Sequence, residues 1–337
     1  MAALWAVRAV AAAAFSAVVC AGLILLLRPV LARYALARPN ARSSHREPTP
    51  QGGGIAVIVA TIAAAYLSAF SLGAADAAPP ASVVAAVVLM ACIGAVDDIR
   101  TISVGRRLLL QAAAVSAVIY ALPDDLRVVA GSPWWLERAL LFVGGLWFVN
   151  LVNFMDGIDW MTVAEVLPMA AALVVAGCLG ALPFAAVIVA LSLGGAMIGF
   201  AYFNRPVAKL FLGDVGSLPI GLLLGWLLAL LAGNGHLAAA LLLPLYYLAD
   251  ATITLFRRLL RGEDIWQAHR AHFYQLATER GWSVTAIVSR VFLVNVGLGV
   301  LALATILLPG PASGVAALVA GALTVGWLLA AFSKGKK

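Results

Sequence analysis

The sequence predicts an all-α fold, a polytopic integral membrane helical bundle of about 11 transmembrane helices. Three observations carry this expectation. The 337 residues are 64% hydrophobic and only 11% charged, against roughly 25% charged in a soluble domain. Their mean hydropathy is +1.03. The apolar residues also come in continuous runs, of the order of the 20 or so that cross a bilayer, whereas a β-barrel alternates in segments of about ten.

Taken in order, the runs are approximately 3–27, 53–72, 80–96, 108–121, 137–153, 161–180, 182–203, 217–233, 237–256, 284–308 and 314–332. The first lacks a basic leader and a small-residue cleavage site, so it reads as a retained span and not as a signal peptide. The fourth is short and calls for a tilted or extended helix. Cys20, Cys92 and Cys178 all fall inside apolar runs, which points to neither a disulfide framework nor a zinc cluster. No internal repeat or linker divides the chain, so residues 1–337 read as a single membrane-embedded domain.

Charge fixes the expected orientation. With the N-terminus outside, the inner segments carry Arg28, Arg33, Arg38, Arg42, Arg46, Arg100, Arg106, Arg107, Arg205, Lys209, Arg257, Arg258, Arg261, Arg270, Arg280, Lys334, Lys336 and Lys337. That is eighteen, against two (Arg127 and Arg138) in the outer loops. The positive-inside rule then places the N-terminus outside and the C-terminus in the cytoplasm. The same asymmetry accounts for the net charge of +7 without nucleic acid. An odd number of spans brings the polar segments 38–53, 97–107, 150–160, 204–217 and 257–283 to one cytoplasmic face.

Each segment has a functional and a plain reading. In Ser43-Ser-His-Arg-Glu-Pro-Thr-Pro-Gln-Gly-Gly-Gly54, His45 and Arg46 can contact phosphate, and the glycines let backbone approach a ligand or another helix. The plain reading is a tight loop into the second span. The adjacent acids Asp97 and Asp98 repel each other at a membrane boundary, which a divalent cation or a shared proton would relieve. Solvated carboxylates at a helix end are the alternative. Asn150, Asn153, Asp156 and Asp159 recur every three residues, which on a helix puts them on one face. They offer the donors and acceptors that a nucleobase, ribose or sugar needs, or else they bond helix to helix.

In Phe211-Leu-Gly-Asp-Val-Gly-Ser217, Ser217 is a candidate cap for a helix starting near Pro219, where Asp214 can hold Mg²⁺ on a phosphate. The alternative is an ordinary capped helix start. His269, Arg270 and His272 lack a third nitrogen or sulfur ligand for zinc, and fit a cationic phosphate clamp or a basic interfacial helix. Asp250 can pair with that basic cluster or serve the site. Together the five segments are equipped to bind a metal-diphosphate at a membrane surface.

These motifs, His45-Arg-Glu-Pro-Thr-Pro-Gln-Gly-Gly-Gly-Ile55, Asp97-Asp98, Asn153-Phe-Met-Asp-Gly-Ile-Asp159, Phe211-Leu-Gly-Asp-Val-Gly-Ser217 and His269-Arg-Ala-His272, resemble in order those of the polyprenyl-phosphate N-acetylhexosamine-1-phosphate transferase family. The resemblance implies an enzyme of the bacterial inner membrane that acts at the cytoplasmic face. With Mg²⁺, or Mn²⁺ in its place, it would pass a HexNAc-1-phosphate from a UDP-HexNAc to undecaprenyl phosphate, release UMP and start a lipid-linked surface glycan such as O-antigen. It leaves room for a homodimer.

By the same resemblance Asp97, Asp98, Asp214 and His269 are catalytic, with Asp214 and Asp98 the metal ligands. His45, Arg46, Asn150, Asn153, Asp156, Asp159, Trp160, Arg270 and His272 bind substrate. Trp160 stands where the family commonly has Gly, and Thr101 where some members have an acid, so both bear on the sugar accepted. The related phospho-N-acetylmuramoyl-pentapeptide translocases carry an additional His in the last motif and usually fewer spans. A transporter or lipid flippase lined by Asp250, Glu165 and Arg290 is the rival of another class, disfavoured because polar sites there lie near the midplane.

Overall fold

The computed structural model describes residues 2–37, 48–71, 78–129, 131–264 and 269–334. They form thirteen helices: α1 (Ala2–Tyr34), α2 (Gly53–Ser71), α3 (Ala81–Ile99), α4 (Val104–Tyr120), α5 (Trp134–Met155), α6 (Met161–Cys178), α7 (Phe184–Ala201), α8 (Asp214–Gly233), α9 (Leu237–Leu242), α10 (Leu245–Leu260), α11 (Phe273–Glu279), α12 (Val284–Leu307) and α13 (Pro311–Lys334). Two short strands, β1 (Leu36–Ala37) and β2 (Thr49–Pro50), pair antiparallel with Leu36 opposite Pro50. Residues 38–47 between them, with His45 and Arg46, lie outside the described residues.

Among the described residues, nine helices are long and apolar enough to cross a membrane: α1, α2, α3, α5, α6, α7, α8, α12 and α13. The chain is an all-α, multi-pass membrane protein. Two of the expected runs take another form. The fourth becomes α4, 17 residues long with Arg106 and Arg107 in its first two turns. The ninth is not one helix but α9 and α10, parted at Pro244. Proline lacks the N–H that a continuing helix requires and crowds the preceding turn.

α8 is the axis, the most enclosed of the nine spans, with α2, α3, α5 and α9 packed around it. Between membrane helices the gain comes from close packing, which small residues allow. A Cβ on Gly54 of α2 would lie 2.1 Å from the Gly216 Cα of α8, and one on Gly94 of α3 would lie 2.3 Å from the Asp214 backbone. The α1–α7 crossing uses the same device, since a Cβ on Gly195 would lie 2.3 Å from the Ala13 carbonyl oxygen. The Gly54 and Gly94 contacts bring the start of α2 and the end of α3 to the start of α8.

Candidate active site

The N-terminus of α8 gathers the motifs. Gly213, at φ +78°, turns the chain into the helix, and the first N–H groups of a helix need acceptors from elsewhere. Asp98 supplies them from the end of α3, its carboxylate accepting the Asp214 N–H at 2.9 Å and the Val215 N–H at 3.1 Å. The helix therefore starts at Asp214 and is capped across the bundle, not at Pro219 by Ser217. Ser217 is buried in the first turn, where its hydroxyl accepts from Asn153 Nδ2 at 2.9 Å.

The Gln-Gly-Gly-Gly segment is sewn onto the same turn. Gly53 N–H donates to Phe211 O and Gly54 N–H to Leu212 O, both at 2.9 Å, while Phe211 N–H returns a bond to Pro50 O at 2.8 Å. Gln51 Nε2 donates to Asp98 O at 2.9 Å. Of the two readings of these glycines, backbone packing is the one the geometry supplies.

Asp214 itself is half-exposed. Its Oδ1 accepts from Asn153 Nδ2 at 2.8 Å, and its Oδ2 has Arg107 Nη1 4.0 Å away. Arg107 lies 2.8 Å from Asp97 Oδ2, whose other oxygen accepts the Ile102 N–H at 2.6 Å. In the sequence alone Arg107 is one inner charge among eighteen. Its placement one helix turn into α4, after the short link from Asp97, is the signal that pairs them.

The Asn150–Asp159 stretch divides in the structure. α5 ends at Met155, so Asp156 and Asp159 lie beyond the helix and the four residues do not share one face. Asn153 and Asp156 line the site. Asn150 does not: it is buried, and its Nδ2 donates to Gln111 Oε1 of α4 and to Leu146 O, each at 2.8 Å. Substrate binding was expected of it, and helix–helix bonding is what it does. Asp159 is buried with Oδ2 on the Ala208 N–H at 3.0 Å.

Trp160 adopts the left-handed conformation, φ 63° and ψ 2°, the geometry in which glycine is at ease. Its N–H donates to Asn204 Oδ1 at 2.8 Å and its indole Nε1 to Ala201 O at 2.7 Å. The indole thus closes the end of α7, which gives it a structural job. Asn204 Nδ2 in turn holds Leu210 O at 3.0 Å.

The last motif reaches the same wall. His269 and His272 precede α11 and do not share a helix face: His272 is extended and forms the cap position of α11. Asp250, fully buried on α10, accepts the Phe273 N–H at 3.0 Å and the Tyr274 N–H at 3.3 Å, with His272 Nδ1 also 3.3 Å away. A charged side chain from another helix caps a helix start here too. Tyr274 OH donates to Phe154 O at 3.1 Å. Gly157 makes that approach possible, since a Cβ there would lie 2.0 Å from the Tyr274 hydroxyl. The His269 and His272 rings stand 4.9 Å apart, and Phe154 lies 6.5 Å from His272. Arg270 is 3.9 Å from Glu279.

The rival transporter path is not assembled. Asp250 serves α11, Glu165 bonds Asn295 at 2.6 Å, and exposed Arg290 lies over Trp282.

Electrostatically the site is a sink for a cation. Asp97, Asp98, Asp156, Asp159 and Asp214 repel one another, with Arg107 set among them. Burial pushes the Asp156 carboxyl up to about 7, Asp214 and Asp159 push the same way, and the Thr162 hydroxyl opposes them. Among the described residues no three His, Cys, Asp or Glu side chains already surround one point. Mg²⁺ does not need them, since one or two carboxylates plus substrate phosphates and water suffice. The all-oxygen donor set and the excess of negative charge fit that ion.

Residues 80–232 match the family model described as glycosyl transferase family 4, a stretch that runs from α3 through α8. The chain is 28% identical over 245 residues to a phospho-N-acetylmuramoyl-pentapeptide-transferase of Streptococcus pneumoniae, covering 67% of this chain and 73% of that one. It is 25% identical over 294 residues to a probable undecaprenyl-phosphate N-acetylglucosaminyl 1-phosphate transferase of Bacillus subtilis, covering 81% and 79%. A phospho-N-acetylmuramoyl-pentapeptide-transferase of Streptomyces coelicolor is 28% identical over 322 residues, covering 77% and 86%. The acidic pair, the Asn153–Asp156 wall and Asp214 all lie inside the stretch over which the chain is similar to glycosyl transferase family 4.

Proposed function

We propose that this enzyme transfers a HexNAc-1-phosphate from a UDP-sugar to undecaprenyl phosphate, with release of UMP, at the cytoplasmic face of a bacterial inner membrane. The observation that carries the reading is the convergence of Asp97–Arg107, Asn153 and Asp156 on Asp214, with the His269–His272 segment tied to the end of α5 through Tyr274. The names of the relatives supply the substrate class, and the eighteen inner Lys and Arg supply the orientation.

The chemistry follows from charge. An oxygen of the lipid phosphate bonds the β-phosphorus of the nucleotide-sugar, and the bond from that phosphorus to the UMP oxygen breaks. Both reactants are anions, so attack needs their charge neutralised and their atoms aligned. Mg²⁺ held by Asp214 would supply the neutralisation when bound. Asp97, with both oxygens engaged, orients Arg107, whose guanidinium faces the phosphates beside Asp214. Asn153 fixes the Asp214 carboxylate. Asn153 and Asp156 would form the nucleotide wall, and His269, Arg270 and His272 would serve as phosphate contacts.

The test is UMP release in membranes supplied with undecaprenyl phosphate and UDP-GlcNAc, UDP-GalNAc or UDP-MurNAc-pentapeptide. Release with a UDP-HexNAc, stopped by EDTA and by Asp214→Asn, is the expected result. Product only with the pentapeptide substrate would move the enzyme to the pentapeptide-transferase reading that the Streptococcus relative supports equally. Turnover that survives both EDTA and Asp214→Asn sinks the assignment.

A further inference from the structure

The buried stripe of α4 is Gln111, Ala114, Val115 and Val118, and Gln111 is its one polar member. Arg107 stands on the same stripe one turn earlier. Gln111 is fully enclosed, and its Nε2 meets no acceptor among the described residues. An apolar side chain would fill the position without that cost. What the amide contributes is its Oε1, which accepts Asn150 Nδ2 of α5 at 2.8 Å.

The two helices run antiparallel, and their contacts define a register. A Cβ on Gly145 of α5 would lie 3.1 Å from Val115 Cγ1 of α4. One turn nearer the site, Asn150 meets Gln111. One turn nearer again, Asn153 and Arg107 come level and reach the same carboxylate. Asn153 Nδ2 is 2.8 Å from Asp214 Oδ1, and Arg107 Nη1 is 4.0 Å from Oδ2. The amide bridge therefore stands directly behind the two groups that hold Asp214.

α5 does not need the bridge to keep its place. A Cβ on Gly221 of α8 would lie 3.0 Å from Val149 Cα, so these two helices meet backbone to backbone beside the Asn153–Asp214 bond. α4 is the looser partner, with Leu109 72% and Tyr120 90% exposed. If the bridge is lost, α4 is the helix free to shift, and Arg107 shifts with it.

We propose that the Gln111–Asn150 bridge is a register lock that sets the Arg107 guanidinium against Asp214 for the transfer step. Gln111 and Asn150 are positioning residues, both buried and both acting through Arg107. The inference rests on the proposed phosphate role of Arg107.

The experiment uses purified full-length Gln111→Met, which keeps an unbranched stem but offers no amide oxygen. It is titrated with UMP and assayed with both substrates saturating. A shift of about 1 Å in a group that aligns the reactants is enough to lower kcat about tenfold, and that fall is expected. UMP binding should stay within about twofold of wild type, because Asn153 and Asp156 keep their places. An unchanged kcat, UMP binding weakened by the same factor as kcat, or a variant that no longer binds UMP at all overturns the proposal.

A second readout needs no substrate. Thermal unfolding of Gln111→Met, Arg107→Met and the double variant measures whether Gln111 sets the place of Arg107 beside Asp97 and Asp214. Coupled effects are expected, and additive ones overturn the inference. Wild-type protein that releases no UMP from any UDP-sugar would refute the proposed function, and the thermal cycle would then decide the register by itself.

Discussion

The carboxylate of Asp98 receives the backbone N–H of Asp214 at 2.9 Å, so the second acid of the pair holds the helix that presents the third. This separates two carboxylates that the sequence treats alike. Asp98 has both oxygens on the first turn of α8, while Asp214 keeps one oxygen toward the opening. Asp98→Asn turns an acceptor into a donor that faces an N–H, which costs about 1–3 kcal/mol. We expect a lowered unfolding midpoint in EDTA for Asp98→Asn. Asp214→Asn should unfold at or above the wild-type temperature with its activity gone. Equal midpoints for wild type and Asp98→Asn would return Asp98 to the metal site.

Trp160 occupies a left-handed position that costs a non-glycine residue about 1–2 kcal/mol, offset by the indole bond to Ala201. Trp160→Gly removes both the strain and the bond. Trp160→Ala removes the bond and keeps the strain. Chemical or thermal unfolding should therefore rank wild type and Gly close together, with Ala lower by about 1 kcal/mol. Relative rates across UDP-sugars should stay as in wild type. A changed sugar preference in Trp160→Gly would put the indole back in the pocket.

The membrane bundle and its polar end are legible in the sequence because apolar runs and basic loops are properties of contiguous residues. The shortness of the fourth run marks where a plain span fails, whereas the ninth reads as one span and its break at Pro244 is seen only in the structure. What the chain could not show is which remote group each polar side chain meets. Asn150 reads as part of the nucleotide wall because Asn153, Asp156 and Asp159 follow it at three-residue spacing, and only the fold brings Gln111 beside it. Asp98 reads as a site acid and Asp250 as a partner of the basic cluster or of the site, yet each spends its oxygens on the N-terminus of a helix farther along the chain. Arg107 needed the α3–α4 turn before its pairing with Asp97 could be seen.

Gly54 and Gly94 set the distance between α8 and its neighbours. A methyl at either would sit 2.1 to 2.3 Å from backbone atoms of α8, which no side-chain rotation can relieve. Overpacking of this kind costs about 1–3 kcal/mol or more, and here it also shifts the turn carrying Asp214. Gly54→Ala and Gly94→Ala should lose folded protein and activity together. Gly144→Ala is the control, because nothing lies within 4 Å of its added Cβ. On α5 that change should stabilise by about 0.5–1 kcal/mol. Normal recovery of Gly54→Ala from detergent, with wild-type turnover, would refute this packing.

Asp156, just past the end of α5, gives the protein a pH dependence with a defined sign. Burial, followed by repulsion from Asp214 and Asp159, raises its carboxyl from 3.8 to about 7. A raised pKa means the folded state holds this proton more tightly than the unfolded chain does. The associated stability is complete below about 3.8 and is lost as pH climbs through about 7. Asp156→Asn still offers Thr162 an acceptor and cannot titrate. In EDTA, the wild-type unfolding midpoint should fall between about pH 5 and about pH 8 more steeply than that of Asp156→Asn, which becomes the more stable protein at the alkaline end. Mg²⁺ should shrink the wild-type fall, since a cation at Asp214 relieves the repulsion on Asp156. Parallel curves for the two proteins would mean that Asp156 does not ionise in this range.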